Sequence, residues 1–126
     1  MLRSAVLTSF VATAQPERSK KFYESALGLR LVNDDQFAIE FDSNGTVLRI
    51  QKVEKVQPHP FTALGWQVPN IREAVVGLSK LGVFFERYSS LQQDDLGIWQ
   101  APSRTKVAWF KEPDGNLLSL SESGDT

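Results

Sequence analysis

Apolar and polar residues alternate along the first dozen positions, with Val6, Thr8, Phe10 and Ala12 on one side and Leu7, Ser9 and Val11 on the other. A period of two predicts a strand. The same stretch, with Ala12-Thr13-Ala14 before Gln15, has the outline of a short signal peptide. Thr8, Ser9 and Thr13 interrupt its apolar core, so the strand is the better reading. Gln15-Pro16-Glu17 then opens a helix, since Pro fits the first helical position and Glu17 suits the positive end of the dipole. Ser19, Phe22, Tyr23, Ala26 and Leu27 recur at helical spacing and predict one buried face, and Gly28 ends the helix. Strands are predicted at 29–32, 36–41 and 46–53, separated by Asn33-Asp34-Asp35 and Asp42-Ser43-Asn44-Gly45.

The second half repeats the order. Gln57-Pro58-His59-Pro60 is a stiff connector, and 61–68 reads as a strand. Asn70 with Glu73 makes a capping box before the apolar stripe Ile71, Ala74, Val75 and Leu78, and Gly82 closes the helix. Strands are predicted at 83–87, 98–101, 105–111 and 117–121, with Pro113-Asp114-Gly115-Asn116 as a tight turn. Aligning the halves pairs Thr8 with Ala63, Ser19 with Ala74, Arg49 with Ser119 and Gly45 with Gly115. The second half has an additional polar stretch at 89–97, read as a loop or lid.

A strand–helix–strand–strand–strand unit of about 55 residues buries only one face of its sheet under its own helix. The other face needs a second unit, and two facing sheets would make a curved trough fit for a ligand. The expectation is an α+β fold. One domain, 1–126, is built from two tandem βαβββ modules, at 1–55 and 60–123.

Composition narrows the partners. Of 126 residues, 41% are hydrophobic and the net charge is -1, which excludes a mainly disordered chain. Fourteen Lys+Arg against fifteen Asp+Glu leave no positive excess for nucleic acid. No run approaches the ~20 apolar residues of a membrane helix. The chain lacks cysteine, which excludes disulfides and thiolate chemistry and fits a cytoplasmic location.

RSKKFYESALGL after the first strand, PNIREAVVGLSKLGVFFE in mid-chain and VAWFKEPDGNLLSLSE near the end resemble the vicinal oxygen chelate superfamily. This is the glyoxalase, bleomycin-resistance and extradiol-dioxygenase group, and the resemblance runs from about Leu7 to Glu122. It implies a dimer and, in the enzymes, four His or Glu metal ligands on the facing sheets. Carried onto this chain, those positions are Thr8, Arg49, Ala63 and Ser119. None suits a divalent cation, which prefers carboxylate or neutral imidazole. Neither metal nor cofactor is therefore expected.

If the family register holds, Arg49 points into the trough. There it either clamps an anion through its planar fork or pairs internally, for instance with Glu40. Phe10 and Phe61 share faces with Thr8 and Ala63 and are candidate pocket walls; Trp99 is a lid candidate, while the other aromatics are read as core or dimer packing. His59, the one histidine, is read as a solvated loop residue. The expected function is metal-free binding of a small organic molecule, anions included, in the trough of a homodimer. Thr8, Phe10, Arg49, Gln51, Phe61, Ala63, Trp99 and Ser119 are the candidate ligand-binding residues; catalytic residues are unassigned. The rival reading is a metal-dependent lyase, isomerase or dioxygenase with a site relocated to Glu40, Gln51, Glu122 or His59.

Overall fold

A computed structural model describes residues 1–124 of the chain. It divides into two units, Met1–Gln57 and Pro58–Thr126. Among the described residues, no helix is long and apolar enough to cross a membrane.

In the first unit a 3-10 turn, Leu2–Ser4, precedes strand β1, Thr8–Thr13, and helix α1, Pro16–Lys21. Strands β2, Arg30–Asp34, β3, Ala38–Ser43, and β4, Thr46–Lys52, complete a sheet of order β1-β4-β3-β2. The β1–β4 pair is parallel and the others are antiparallel. Helix α1 runs on into a π turn, Phe22–Ala26, where the Leu27 N–H donates to the Phe22 carbonyl at 3.1 Å. Gly28, at φ +71°, then ends it as expected.

Alternation puts Val11, Ile39, Phe41, Leu48 and Ile50 on the helix-covered face, each buried. Tyr23 is fully buried against Phe41, ring centroids 5.9 Å apart. Thr13 and Ser19, also fully buried, share a 2.6 Å hydrogen bond that ties the end of β1 to α1. Strand β3 starts two residues later than the alternation predicts. The Asp35 carboxylate accepts the Phe37 and Ala38 N–H groups at 2.8 and 3.0 Å, which turns the chain through 36–37.

The second unit repeats the topology. Strand β5, Thr62–Gln67, leads to helix α2, Ile71–Lys80. Strands β6, Trp99–Gln100, β7, Lys106–Lys111, and β8, Leu117–Glu122, follow in a sheet of order β5-β8-β7-β6. Ile71 and Val75 of α2 and Ala108, Phe110, Leu118 and Leu120 of the sheet are buried. The Asn70 Oδ1 accepts the Glu73 N–H at 3.1 Å, the Asn half of the expected box, and the Glu122 Oε1 accepts the Ile71 N–H at 2.9 Å. Glu112, 3% exposed, closes the turn before β8 by accepting the Asp114 and Asn116 N–H groups at 2.8 and 2.9 Å.

The strand expected at 83–87 is not one. Val83 and Phe85 are buried, but a single backbone bridge, Phe85 to Phe110, is all that pairs. A side chain occupies the edge instead: the Gln93 Nε2 donates to the Glu86 carbonyl at 2.9 Å. Strand β6 is short for a related reason, since Ile98 exchanges hydrogen bonds with Asp94, its N–H going to the carboxylate and its carbonyl accepting the Asp94 N–H.

Candidate functional site

Each sheet has an open face, opposite its helix. On the first unit, register aligns Phe10 of β1, Arg49 of β4 and Glu40 of β3 in one row. Phe10 is 55% exposed. The Arg49 Nη1 donates to the Glu40 Oε2 at 3.0 Å, with both side chains half-buried. The internal pair, one of the two readings of Arg49, is thus the arrangement the fold makes. Thr8 is exposed at the start of β1, and Gln51 is exposed in the row of Ala12.

On the second unit, Trp109, Ser119 and Gly65 form a row across β7, β8 and β5. A Cβ at Gly65 would lie 2.7 Å from the Ser119 Oγ, so the hydroxyl fills the space a side chain would need. Arg49 faces Phe10 as Ser119 faces Gly65, so the register reproduces the pairing of Arg49 with Ser119 between halves. Ala63 is exposed at an irregularity between Thr62 and Leu64. Phe61 lies one residue before β5, stacked parallel on His59 with centroids 4.9 Å apart.

Aromatic side chains gather on this open face. Trp99 and Trp109 are tilted together at 6.0 Å, and Tyr88 meets Trp109 edge-on at 5.5 Å. Trp109 and Tyr88 were not among the expected site residues. The alternation of β7 carries the signal: Ala108 and Phe110 go to the core, so Val107, Trp109 and Lys111 face the other way. Burial, and then the charge of Glu86, push the Tyr88 phenol above its ordinary value. It therefore stays a neutral donor at physiological pH.

The polar stretch after the second helix is a pinned loop rather than a loose lid. The Gln93 Nε2 donates to the Glu86 and Gly97 carbonyls at 2.9 and 2.8 Å, while its Oε1 accepts the Tyr88 N–H at 2.7 Å. The Asp94 Oδ1 accepts from Leu96 and Ile98, both at 2.9 Å.

Among the described residues, cavities of the second unit include two of note. One, of about 640 Å³, sits beside the start of α2 among Arg72, Asp94, Lys106 and Glu122. Its cations face carboxylates at 3.8 Å, Arg72 to Asp94 and Lys106 to Glu122, so its charges are already opposed. The other, of about 320 Å³, is lined by His59, Glu86, Tyr88, Lys111 and Leu117 among others. His59 is exposed on the connector, as expected, and also lines this cavity.

The four positions onto which the family resemblance carries the enzymes' metal ligands, Thr8, Arg49, Ala63 and Ser119, do not suit a divalent cation. Two hydroxyls are weak unaided ligands, Ala63 has no donor, and Arg49 is a cation already paired. Among the described residues, no group of three or more His, Cys, Asp or Glu stands close enough to hold a metal ion.

Solved structures share this architecture. A superfamily member from Sphaerobacter thermophilus is 22% identical with a TM-score of 0.76, covering 98% of this chain and 100% of its own. An antibiotic-binding protein, TnmS3, from Streptomyces sp. CB03234 is 21% identical with a TM-score of 0.73, covering 98% of each chain. A lactoylglutathione lyase from Agrobacterium tumefaciens is 14% identical with a TM-score of 0.72, covering 97% and 96%. At such identities the likeness fixes the fold alone. No curated protein matches the chain in sequence. Residues 5–120 do match the Glyoxalase/Bleomycin resistance protein/Dioxygenase superfamily, and with two βαβββ units in that span the chain belongs to it.

Proposed function

We propose that this protein binds a small organic molecule on the open faces of its sheets, without a metal ion. The observation that carries the reading is the donor set at Thr8, Arg49, Ala63 and Ser119, in which the one strong polar group is turned onto Glu40. What remains for recognition is shape and aromatic surface, concentrated at Trp99, Trp109 and Tyr88. The rival enzyme would need a relocated metal site. Two of its candidate ligands have other work, Glu40 holding Arg49 and Glu122 capping α2.

Solved proteins with this fold include both an antibiotic-binding protein and a lyase, so the residues must choose between them. They favour binding over chemistry. A homodimer belongs to the same proposal, since β1, β2, β5 and β6 stand at the edges of their four-stranded sheets and family resemblance implies a dimer. Light scattering would then give twice the 14.1 kDa chain mass.

The test combines metal analysis of protein purified without chelator and a thermal-shift screen against small organic ligands. The expected result is substoichiometric metal, and stabilisation by ligands that EDTA leaves unchanged. One tightly held metal per chain, or turnover stimulated by divalent ions, would overturn the proposal.

A further inference from the structure

We infer that the open face of the second unit takes a planar aromatic monocarboxylate, its ring against Trp99, Trp109 and Tyr88 and its carboxylate at Lys111 and His59. This rests on the small-molecule reading and names the ligand class for it.

Three observations converge. First, the aromatic wall and the 320 Å³ cavity share Tyr88. It meets Trp109 edge-on and lines the cavity with Lys111. Trp109 and Lys111 are two apart on β7 and so share a face, about 6.6 Å along the strand. An acid whose ring lies against Trp109 can therefore be met by Lys111, whose long side chain covers part of that spacing. The cavity also suits such a group, being near the lower end of the ~300–1,000 Å³ usual for ligand sites.

Second, it holds a donor that can turn to a ligand. The Lys111 Nζ lies 3.7 Å from the Glu86 Oε1, an ion pair too long for a hydrogen bond, so its charge is opposed, as in the larger cavity, while its N–H groups can still meet a closer partner. Arg49, by contrast, is committed to Glu40 at 3.0 Å. An anionic group is therefore directed to the second unit. Glu86 also sets a limit, because it opposes a second negative charge beside Lys111 and so favours a monoacid over a diacid or a phosphate dianion.

Third, the imidazole is held in place. His59 stands between Pro58 and Pro60, and its ring lies parallel to Phe61, 9° from coplanar. Pro58 packs on the turn at Gly115, where a Cβ would come within 3.2 Å of the proline Cγ. The connector is thereby seated on the β7–β8 turn, with His59 and Tyr88 as hydrogen-bonding groups and Leu117 as an apolar floor.

The probes are 1-naphthoate and its uncharged analogue 1-naphthamide, with naphthalene-1,4-dicarboxylate as the diacid. Binding is followed by tryptophan fluorescence and calorimetry. Wild-type protein should prefer naphthoate over naphthamide by about five- to tenfold, the effect of a partly exposed charged hydrogen bond. Lys111→Gln should abolish that preference without weakening naphthamide. Lys111→Arg should retain it, and so should Arg49→Gln. The diacid should bind more weakly than naphthoate. Lys111 is 56% exposed, so its substitution leaves the core untouched.

Equal affinity for acid and amide, or a preference that survives Lys111→Gln and disappears in Arg49→Gln, would overturn the inference while the small-molecule reading stands. Aliphatic ligands that bind where both naphthalenes fail would do the same. Failure of every ligand in the thermal-shift screen would instead remove the underlying reading.

Discussion

Replacing Arg49 and Glu40 by glutamine, singly and together, measures what the open-face ion pair contributes and whether Arg49 is free for other work. The two residues are register partners on β4 and β3, their charged atoms 3.0 Å apart, and their side chains are 30% and 24% exposed. A surface pair of this kind contributes at most about 1 kcal/mol, and a hydrogen bond to a charged group about 1.5–3 kcal/mol. Half-burial places this pair between those limits, so a coupling energy near 1 kcal/mol is expected from the four-member cycle. Each single variant should lose more than the coupling energy alone, because it leaves its partner charged and half-buried. The assay is urea denaturation at pH 7 with m-values compared, at about 0.1 M and about 1 M salt, where the Debye length falls from ~10 to ~3 Å. At 3.0 Å the pair lies at or inside even the shorter length, so most of the coupling should survive. A coupling indistinguishable from zero in both salts would falsify the pairing and return Arg49 to the role of anion clamp. In that role Arg49→Ala would weaken an anionic ligand by about 1–3 kcal/mol; as a paired residue it should do far less.

Glu112→Ala removes the acceptor for two turn N–H groups at 2.8 and 2.9 Å, and should cost about 2–4 kcal/mol in urea denaturation. Glu112→Gln keeps an acceptor oxygen and should cost no more than half of that; equal losses in the two variants would refute the capping role. Acid stability should report the first unit. Asp34 is held below its ordinary value by hydrogen bonds from Lys52 and Lys20, and Asp35 by the N–H groups of Phe37 and Ala38. Their stabilisation is complete above the ordinary carboxylate range and is lost as pH falls through the lowered values. Asp34→Asn should therefore flatten the acid limb of a stability–pH curve, and an unchanged limb would refute the assignment. At the other extreme, the Asp34 partnership raises the Lys20 value. Its share of stability should persist at neutral pH and disappear only as pH rises beyond that raised value.

Much of this architecture is local and so could be read along the chain. The Asn70 cap, the Gly28 helix end, the Pro113–Asn116 turn and the strand alternations each depend on residues a few positions apart. Failures came where a nearby side chain took the place of a backbone partner. Val83 and Phe85 alternate like a strand, but Gln93 satisfies the edge that a neighbouring strand would have used. The late start of β3 belongs to Asp35, whose carboxylate binds two N–H groups that alternation assigned to a ladder. The site was legible in part for the same reason. The Arg49–Glu40 pair follows from simple strand register, and so could be named as an alternative. The convergence of Tyr88 with Trp109, and of His59 with Lys111, depends on how an irregular segment and a connector fold back over β7. No spacing in the chain encodes it.

The Gln93 amide meets three backbone groups at once, giving two hydrogens and accepting one. Asparagine is one methylene too short to span them, and glutamate would set oxygen against two carbonyl oxygens. Drift at that position is therefore nearly closed to evolution, whereas exposed Gln92 and Asp95 beside it can change with little cost to the backbone.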